Sequence, residues 1–346
     1  MESLSGQAEL AVILVSWRGA EDTIECLESL LRCPVPMRII ICDNASGDGS
    51  VERIARWAQG AERHVPKSAA LAHLTNPPVP KPLPLQRLDR EDLETAAANG
   101  AGLTLVQTGA NLGFAGGNNL GLRLALKDSA INYIWFLNND TVVDPGAPAA
   151  MMRALSGNPA TGMAGSVIRF YHRPERLQLL NGSRYSPWTG RGYPIAGNEP
   201  ANLDFDPDSV ARETDFVCGA SLAVTRQFAE QIGSMEESYF LYYEEIDWAV
   251  RGRGRFQIGF APDAVVYHKE GGSIGSSRQT DRRSTLSEYY LARSKILFGR
   301  KHDRLKVPSL ISHNMLLALR RMLQGHFDKA GAILMGTINR PFRGEQ

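Results

Sequence analysis

The sequence predicts an α/β fold: a mostly parallel central sheet flanked by helices, with a helical C-terminal extension. Three observations predict it. Short β-rich apolar runs alternate with helix-spaced segments through the first 140 residues, the pattern of parallel strands joined by crossover helices. Polar clusters follow three of those runs directly, as they do where strands of an open sheet end at a ligand site. Residues 284–337 read as helix throughout and carry most of the basic charge.

Taken in order, Leu10 to Val15 is a short buried strand. Glu21 to Arg32 is a helix, because Ile24, Leu27, Leu30 and Leu31 share one face. Met37 to Cys42 is a second buried strand, and Asp-Asn-Ala-Ser-Gly-Asp-Gly-Ser at 43–50 is a dense turn signal. Val51 to Trp57 is the next helix. Residues 62–100 interrupt the rhythm, since Pro77, Pro78, Pro80, Pro82 and Pro84 deny regular strand or helix through 76–84. This stretch reads as a surface insertion, a mobile linker rather than a lid. The pattern resumes with a strand at Leu103 to Gln107, a helix at Asn118 to Lys127 and a strand at Tyr133 to Leu137. Phe216 to Val224 and Ala264 to Tyr267 are further strands, and Glu244 to Arg253 is a helix. The expected division is an α/β domain over 1–275 and a helical basic region over 276–346.

A formal net charge of +1 argues against a nucleic-acid partner. The charge is uneven, however. Between Arg278 and Arg343 there are 14 basic and 4 acidic residues, a net of +10, which leaves −9 for the remainder. Leu310, Ile311, Met315, Leu316, Leu319, Met322 and Leu323 recur there at helical spacing. Such a helix docks on an anionic membrane surface or packs on the α/β domain or on a second copy in a homodimer. The four cysteines include no CxxC pair and read as buried thiols of a reducing compartment. With no signal peptide and no apolar run of the ~18 residues that span a bilayer, the expected location is cytoplasmic, with the inner membrane face as a peripheral site.

Three polar clusters stand at strand ends: Ser16-Trp17, Asp43-Asn44 and Asn138-Asn139-Asp140. Each alone has a plain alternative, since Asp, Asn and Ser also build turns and cap helices. Asn111-Leu-Gly-Phe-Ala-Gly-Gly-Asn-Asn119 suits close backbone approach to a phosphate or sugar at a helix N-terminus, or a glycine-rich turn capped by Asn. Glu244-Glu245-Ile-Asp247 opens a helix, where the dipole favours carboxylates. His268, at a strand end before Gly271-Gly272-Ser273, is a metal-ligand candidate.

Together and in order, these motifs resemble the family-two inverting glycosyltransferases with a GT-A fold, in particular their bacterial rhamnosyltransferase-like branch. The matching residues are Asp43-Asn44-Ala-Ser46-Gly-Asp48-Gly-Ser50, Asn111 to Asn119, Leu137-Asn-Asn-Asp140, Cys218-Gly219-Ala220, Tyr243-Glu-Glu-Ile-Asp247 and His268-Lys-Glu-Gly-Gly-Ser273. They span roughly residues 9 to 300 apart from the proline-rich stretch. Two departures stand out. The usual Asp-x-Asp is Asn138-Asn139-Asp140, which leaves one carboxylate, and the second acid of the family's Glu-Asp pair is Glu245.

The resemblance implies direct displacement at an anomeric carbon by an acceptor hydroxyl. It assigns Mg²⁺ or Mn²⁺ to Asp140, with His268 as second ligand, to neutralise the leaving diphosphate. Glu245 is implied as the base, with Asp247 as second choice and Glu244 orienting the acceptor. The donor, a dTDP- or UDP-sugar, is assigned to Ser16, Trp17, Asp43, Asn44, Asn111, Gly113, Gly116, Asn118, Asn138 and Asn139. The acceptor is a saccharide or a lipid-linked hydroxyl. Rival readings are a nucleotidyltransferase, for which Val15-Ser16-Trp17-Arg18-Gly19 is a poor phosphate loop, and a non-catalytic sugar-nucleotide-binding scaffold.

Overall fold

The central strands are apolar on both faces, so each must be covered twice. In β1 (Leu10–Ser16), Leu10, Val12 and Leu14 enter one core while Ala11 and Ile13 enter the other. That is the period-two alternation of a strand buried between two helical layers. The structure is a computed structural model describing residues 9–96, 102–269 and 283–341. In chain order, β1 is followed by α1 (Ala20–Leu30), β2 (Met37–Asp43), α2 (Ser50–Gln59), α3 (Ala72–Thr75) and β3 (Leu85–Asp89). Then come β4 (Leu103–Gln107), α4 (Gly113–Leu126), β5 (Tyr133–Asn138), β6 (Thr141–Val143) and α5 (Ala147–Ser156). The middle of the chain holds β7 (Thr161–Phe170), β8 (Arg173–Leu180), β9 (Gly182–Ser186), β10 (Arg191–Pro194), α6 (Pro207–Glu213), β11 (Phe216–Val217) and β12 (Ser221–Thr225). The remainder is α7 (Arg226–Ile232), α8 (Glu244–Gly252), β13 (Gln257–His268), α9 (Thr285–His302), α10 (Val307–Leu323) and α11 (Phe327–Thr337).

The main sheet runs in the order β3-β4-β2-β1-β5-β12-β7-β13-β6, with β8 beside β7. From β3 to β5 every pairing is parallel. The chain builds outward from β1 through β2 and β4, then returns to the other side of β1 as β5. The carboxyl ends of β1 and β5 therefore flank the point where strand order reverses, which is where open sheets bind ligands. One core lies under α1, α2 and α5 and the other under α4, α7 and α8. α9, α10 and α11 pack mainly on one another through Ala292, Ala318, Ala330 and Ile333, beyond α8. Burial pushes the thiols of Cys26, Cys33 and Cys42 up to about 12, so they are inert core residues.

Three expectations need correction. The proline-rich stretch is irregular through 76–84, but it then supplies β3, an edge strand in parallel register with β4. It is also seated on the body: the buried Glu28 carboxylate accepts from Trp57 Nε1 (2.8 Å), Lys81 Nζ (2.8 Å) and Val79 N (2.7 Å). Residues 97–100 of that stretch lie outside the described residues. The expected strand at 216–224 is two strands, because Cys218-Gly219-Ala220 turns the chain from the three-stranded sheet of β9, β10 and β11 into the main sheet. Finally, α4 begins at Gly113, so most of the glycine-rich segment is helix rather than loop.

Candidate active site

At the end of β5, Asp140 is brought against His268, the last residue of β13. Asp140 Oδ1 lies 3.2 Å from His268 Nε2. The ring is oriented from behind: Nδ1–H donates to Gln178 Oε1 at 2.8 Å, and the Asn138 amide stands 3.3 Å from Nε2. Nε2 faces a carboxylate oxygen that is buried and makes no hydrogen bond. Burial is the strongest influence on Asp140 and acts to raise its pKa. The His268 ring and Lys269 overcome it and hold the carboxyl below its ordinary value. An ionised oxygen and an imidazole nitrogen converging from two strand ends suit a divalent cation. The hydrogen bond from Gln178 is the outer contact that such a histidine ligand needs. Among the described residues no cluster of three His, Cys, Asp or Glu side chains could hold a metal, so further ligands would come from elsewhere, such as diphosphate oxygens.

The neighbouring strand ends are built more for structure than expected. Ser16 Oγ is fully buried against Thr23 Oγ1 at 3.0 Å. Asn139 turns inward and donates to the same Thr23 hydroxyl at 2.9 Å. Asp43 closes a turn, accepting from Ser46 N (3.0 Å) and Ser46 Oγ (2.5 Å); burial nonetheless pushes its pKa up. Asn44 Nδ2 donates to Gly113 O at 2.8 Å, while its Oδ1 is buried without a partner. Trp17 is half-buried with the Arg18 guanidinium 5.0 Å above its ring, and Arg18 in turn caps Ser46 through its backbone N–H at 2.8 Å. The rim between β1 and β2 thus pairs an aromatic face with a cation, next to a cleft of about 200 Å³ lined by Arg18, Asp48, Arg53 and Lys67.

The glycines of α4 serve packing. A Cβ on Gly117 would sit 3.0 Å from Asn44 Oδ1 and from Val15, and one on Gly121 would be 2.5 Å from Ile13. A Cβ on Gly116 would strike Leu112 at 2.6 Å. Gly113, at φ +69°, leaves 2.2 Å between such a Cβ and Phe240 O, and Phe114 N donates to that same carbonyl at 2.9 Å. These residues hold the helix tight to the sheet and to the 240–243 loop. Asn111 Oδ1 accepts from Gly113 N, and Asn118 donates back to Phe114 O within the helix. Gly113, Gly116 and Asn118, expected at the donor, thus already make close protein contacts of their own.

The 240–243 loop delivers the carboxylates. Phe240, Tyr242 and Tyr243 all have φ between +65° and +77°, a costly conformation for side-chain-bearing residues and one that marks functional sites. It reverses the chain so that α8 begins at Glu244. Glu244 is buried with Oε2 unpartnered, and burial first, then the Glu245 charge, raises its pKa well above the ordinary value. Glu245 is half-buried, makes no ion pair and no side-chain hydrogen bond among the described residues, and is raised by burial to about 7. Asp247, expected as second choice of base, is different. It is fully buried and accepts from Tyr239 Oη (3.1 Å), His302 Nε2 (2.6 Å), Lys301 Nζ (2.9 Å) and Arg251 Nε (2.7 Å). Burial works to raise its pKa, but these donors hold it below the ordinary value. Asp247 clamps α9 to α8 and is not free to take a proton.

Sequence reasoning missed Gln178 and Lys269. Gln178 lies 90 positions from His268, and nothing local marks it. Lys269 ties the end of β13 to α1 through Asp22 at 2.6 Å and Glu25 at 2.5 Å; its place beside His268 was the available signal. Gly271, Gly272 and Ser273 lie outside the described residues.

Comparison with known proteins adds a further line of observation. Residues 89–229 match the model of glycosyl transferase family 2. The N-acetylglucosaminyl-diphospho-decaprenol L-rhamnosyltransferase of Mycobacterium tuberculosis is 25% identical over 331 residues, covering 91% of this chain and 92% of that protein. The low-salt glycan biosynthesis hexosyltransferase Agl10 of Haloferax volcanii is 24% identical over 238 residues, 68% of this chain and 74% of that one. A mannosyltransferase from Pyrobaculum calidifontis, solved in complex with GDP-Man and Mn²⁺, shares the fold with a TM-score of 0.51 at 13% identity, covering 99% of this chain and 89% of that chain.

Proposed function

We propose that this chain is a family-2 glycosyltransferase of GT-A fold that moves a hexose-type sugar from a nucleoside-diphosphate donor to an acceptor hydroxyl by a single displacement with inversion. The observation that carries this reading is the pairing of two unlike poles. One is an ionised buried carboxylate 3.2 Å from an imidazole nitrogen, Asp140 and His268. The other is an unpaired carboxyl raised to about 7, Glu245.

At the first pole, Asp140 and His268 would hold a Mg²⁺ or Mn²⁺ ion, which when bound supplies Lewis-acid stabilisation of the departing diphosphate. The chain's own residues do the rest. Gln178 and Asn138 fix the His268 ring, and Trp17 with Arg18 offers a stacking face and a positive charge to the nucleotide. Asp43 and Asn44 shape that rim more than they line it. At the second pole, Glu245 takes the acceptor hydroxyl proton at its carboxylate oxygen as the new bond forms; a pKa near the working pH suits a general base. Glu244, kept neutral by burial beside Glu245, can donate a hydrogen bond to an acceptor oxygen.

The mycobacterial relative's name specifies a rhamnosyl donor and a diphospho-decaprenol acceptor, which supports dTDP-rhamnose and a lipid-linked acceptor as the first pair to try here. The exposed apolar side chains Leu316, Leu319, Leu323 and Phe327, beside Arg320, support peripheral contact with an anionic leaflet. No helix among the described residues is long and apolar enough to cross a membrane. The deciding experiment is transfer from a panel of nucleotide sugars with Mn²⁺, with the product linkage read by NMR coupling constants. Inversion is expected, and retention of anomeric configuration would remove both the single displacement and the need for a base at Glu245.

A further inference from the structure

We propose that Glu25 on α1 is a positioning residue for the Asp140–His268 pair, acting through Tyr171 and Lys269. The proposal rests on the metal reading above and extends it to a residue on a different element.

Both members of the pair are gripped through their backbone. Lys269 N donates to Asp140 O at 3.1 Å, and Tyr171 N donates to His268 O at 3.0 Å. The side chains of those two donors then turn to a single carboxylate. Tyr171 Oη donates to Glu25 Oε1 at 2.7 Å, and Lys269 Nζ donates to Glu25 Oε2 at 2.5 Å. Tyr171 and Glu25 are only 1% and 2% exposed. One oxygen of Glu25 thus fixes the chain just after β7, and the other fixes it just after β13. The same helix reaches the remaining side, where Thr23 Oγ1 accepts from Asn139, the neighbour of Asp140, at 2.9 Å. The proline-rich stretch closes the network from outside. Lys67 N lies 3.5 Å from Glu25 Oε1, and Leu71 and Leu74 pack with Val142, Tyr171 and Tyr267. Val142 and Tyr267 pair across β6 and β13, one position along from the pairing of Thr141 with His268.

A buried ion pair adds little net stability, because desolvation offsets the attraction. What this one supplies is geometry: a carboxylate whose two oxygens each accept from a different strand end admits few arrangements of those ends. Charge points the same way. Lys269 follows His268 directly, and its ammonium, left unpaired, would oppose a divalent cation at the pair. Glu25 and Asp22, at 2.5 and 2.6 Å, balance that charge. Loss of Glu25 would therefore loosen both ligands at once and leave the Lys269 ammonium with Asp22 alone. Outer contacts of this kind tune metal sites by roughly 10- to 100-fold in affinity.

The test reads binding of Mn²⁺ alone to the full chain by electron paramagnetic resonance. Glu25→Gln keeps the shape and loses the charge. Tyr171→Phe loses one hydroxyl but keeps the ring and the backbone donor, so a folding defect at Glu25 leaves a second readout. The Mn²⁺ Kd is expected to rise about 10-fold in Glu25→Gln, and by less in Tyr171→Phe. In turnover, the Mn²⁺ concentration for half-maximal rate should rise with it, while kcat at saturating Mn²⁺ stays within about 2-fold of wild type. Asp247→Asn, which breaks the clamp between α8 and α9, is the stability control, and its Mn²⁺ Kd should match wild type. Unchanged Mn²⁺ affinity in both Glu25→Gln and Tyr171→Phe, or an equal loss in Asp247→Asn, would overturn the proposal and leave the metal reading standing. No Mn²⁺ binding by wild type, or binding that Asp140→Ala does not weaken, would overturn the metal reading and this proposal with it.

Discussion

Glu245 and Asp247 stand two residues apart in the first turn of one helix, yet their proton affinities are displaced in opposite directions. Both share the helix dipole, so the dipole cannot separate them. Their neighbours do. Asp247 faces α9 and gathers a tyrosine, a histidine, a lysine and an arginine, which hold it ionised. Glu245 has no ion pair and no side-chain hydrogen bond among the described residues, and burial raises it to about 7. Asp140 is a third case: ionised like Asp247, but with one oxygen left bare beside a histidine. A carboxylate that is already satisfied holds the fold together, and one that is not can do chemistry.

The largest expected effect comes from the bare site. Asp140→Ala should abolish transfer and metal-linked nucleotide binding while the circular dichroism and Tm stay near wild type. Near-normal turnover by this variant in EDTA would dissolve the distinction between Asp140 and Asp247. Next is Glu245→Gln, which keeps shape but cannot take a proton; kcat should fall by roughly 10² or more with little change in donor affinity. In wild type, kcat should rise with pH through about 7 as Glu245 ionises, and the Gln variant should lose that limb. Stability gives the matching sign. A carboxyl with a raised folded pKa stabilises fully below its unfolded value and loses that contribution as pH rises through about 7. Glu245→Gln should thus gain on wild type in Tm above neutral pH and lose the advantage near pH 4.

Asp247→Asn reverses the pattern. It leaves Arg251 and His302 facing a buried neutral amide, which should cost about 3 kcal/mol in urea unfolding. Material that remains folded should keep its kcat. A dead but stable Asp247→Asn beside an active Glu245→Gln would exchange the two roles. The smallest effect concerns the outer face of α10. Co-sedimentation with liposomes should need anionic lipid and weaken with salt, each surface cation contributing ~1 kcal/mol within a Debye length. Equal recovery with neutral liposomes, or none at all, would make that face a contact between copies of the chain.

The parts of the molecule that the sequence disclosed are those set by local pattern. The strands β1, β2, β4 and β5 and the helices α1 and α2 follow from apolar spacing, and the ligand edge follows from where those strands stop. Asp140, His268, Glu244 and Glu245 stood out in the sequence because each stands at an element boundary. What stayed hidden was whatever depends on partners distant in sequence. The glycines of α4 read as ligand contacts because nothing local reveals that Ile13, Asn44 and Phe240 crowd them. Asp247 looked like a spare base because the donors at 301 and 302 belong to a helix more than fifty positions away. The strand at 85–89 was lost because five prolines before it masked a register fixed only by pairing with β4.

The buried carboxylate of Glu28 has a consequence for how this chain can be shortened or compared. It accepts from α2 on one side and from residues 79 and 81 on the other. Trimming the proline-rich stretch as if it were an appendage would strand a negative charge in the interior with one donor left. Loop length and the identity of residue 28 are therefore expected to change together. Relatives that lack the stretch should carry an uncharged residue at the matching place. A deletion variant spanning 62–84 should refold only when Glu28→Gln or Glu28→Leu accompanies it.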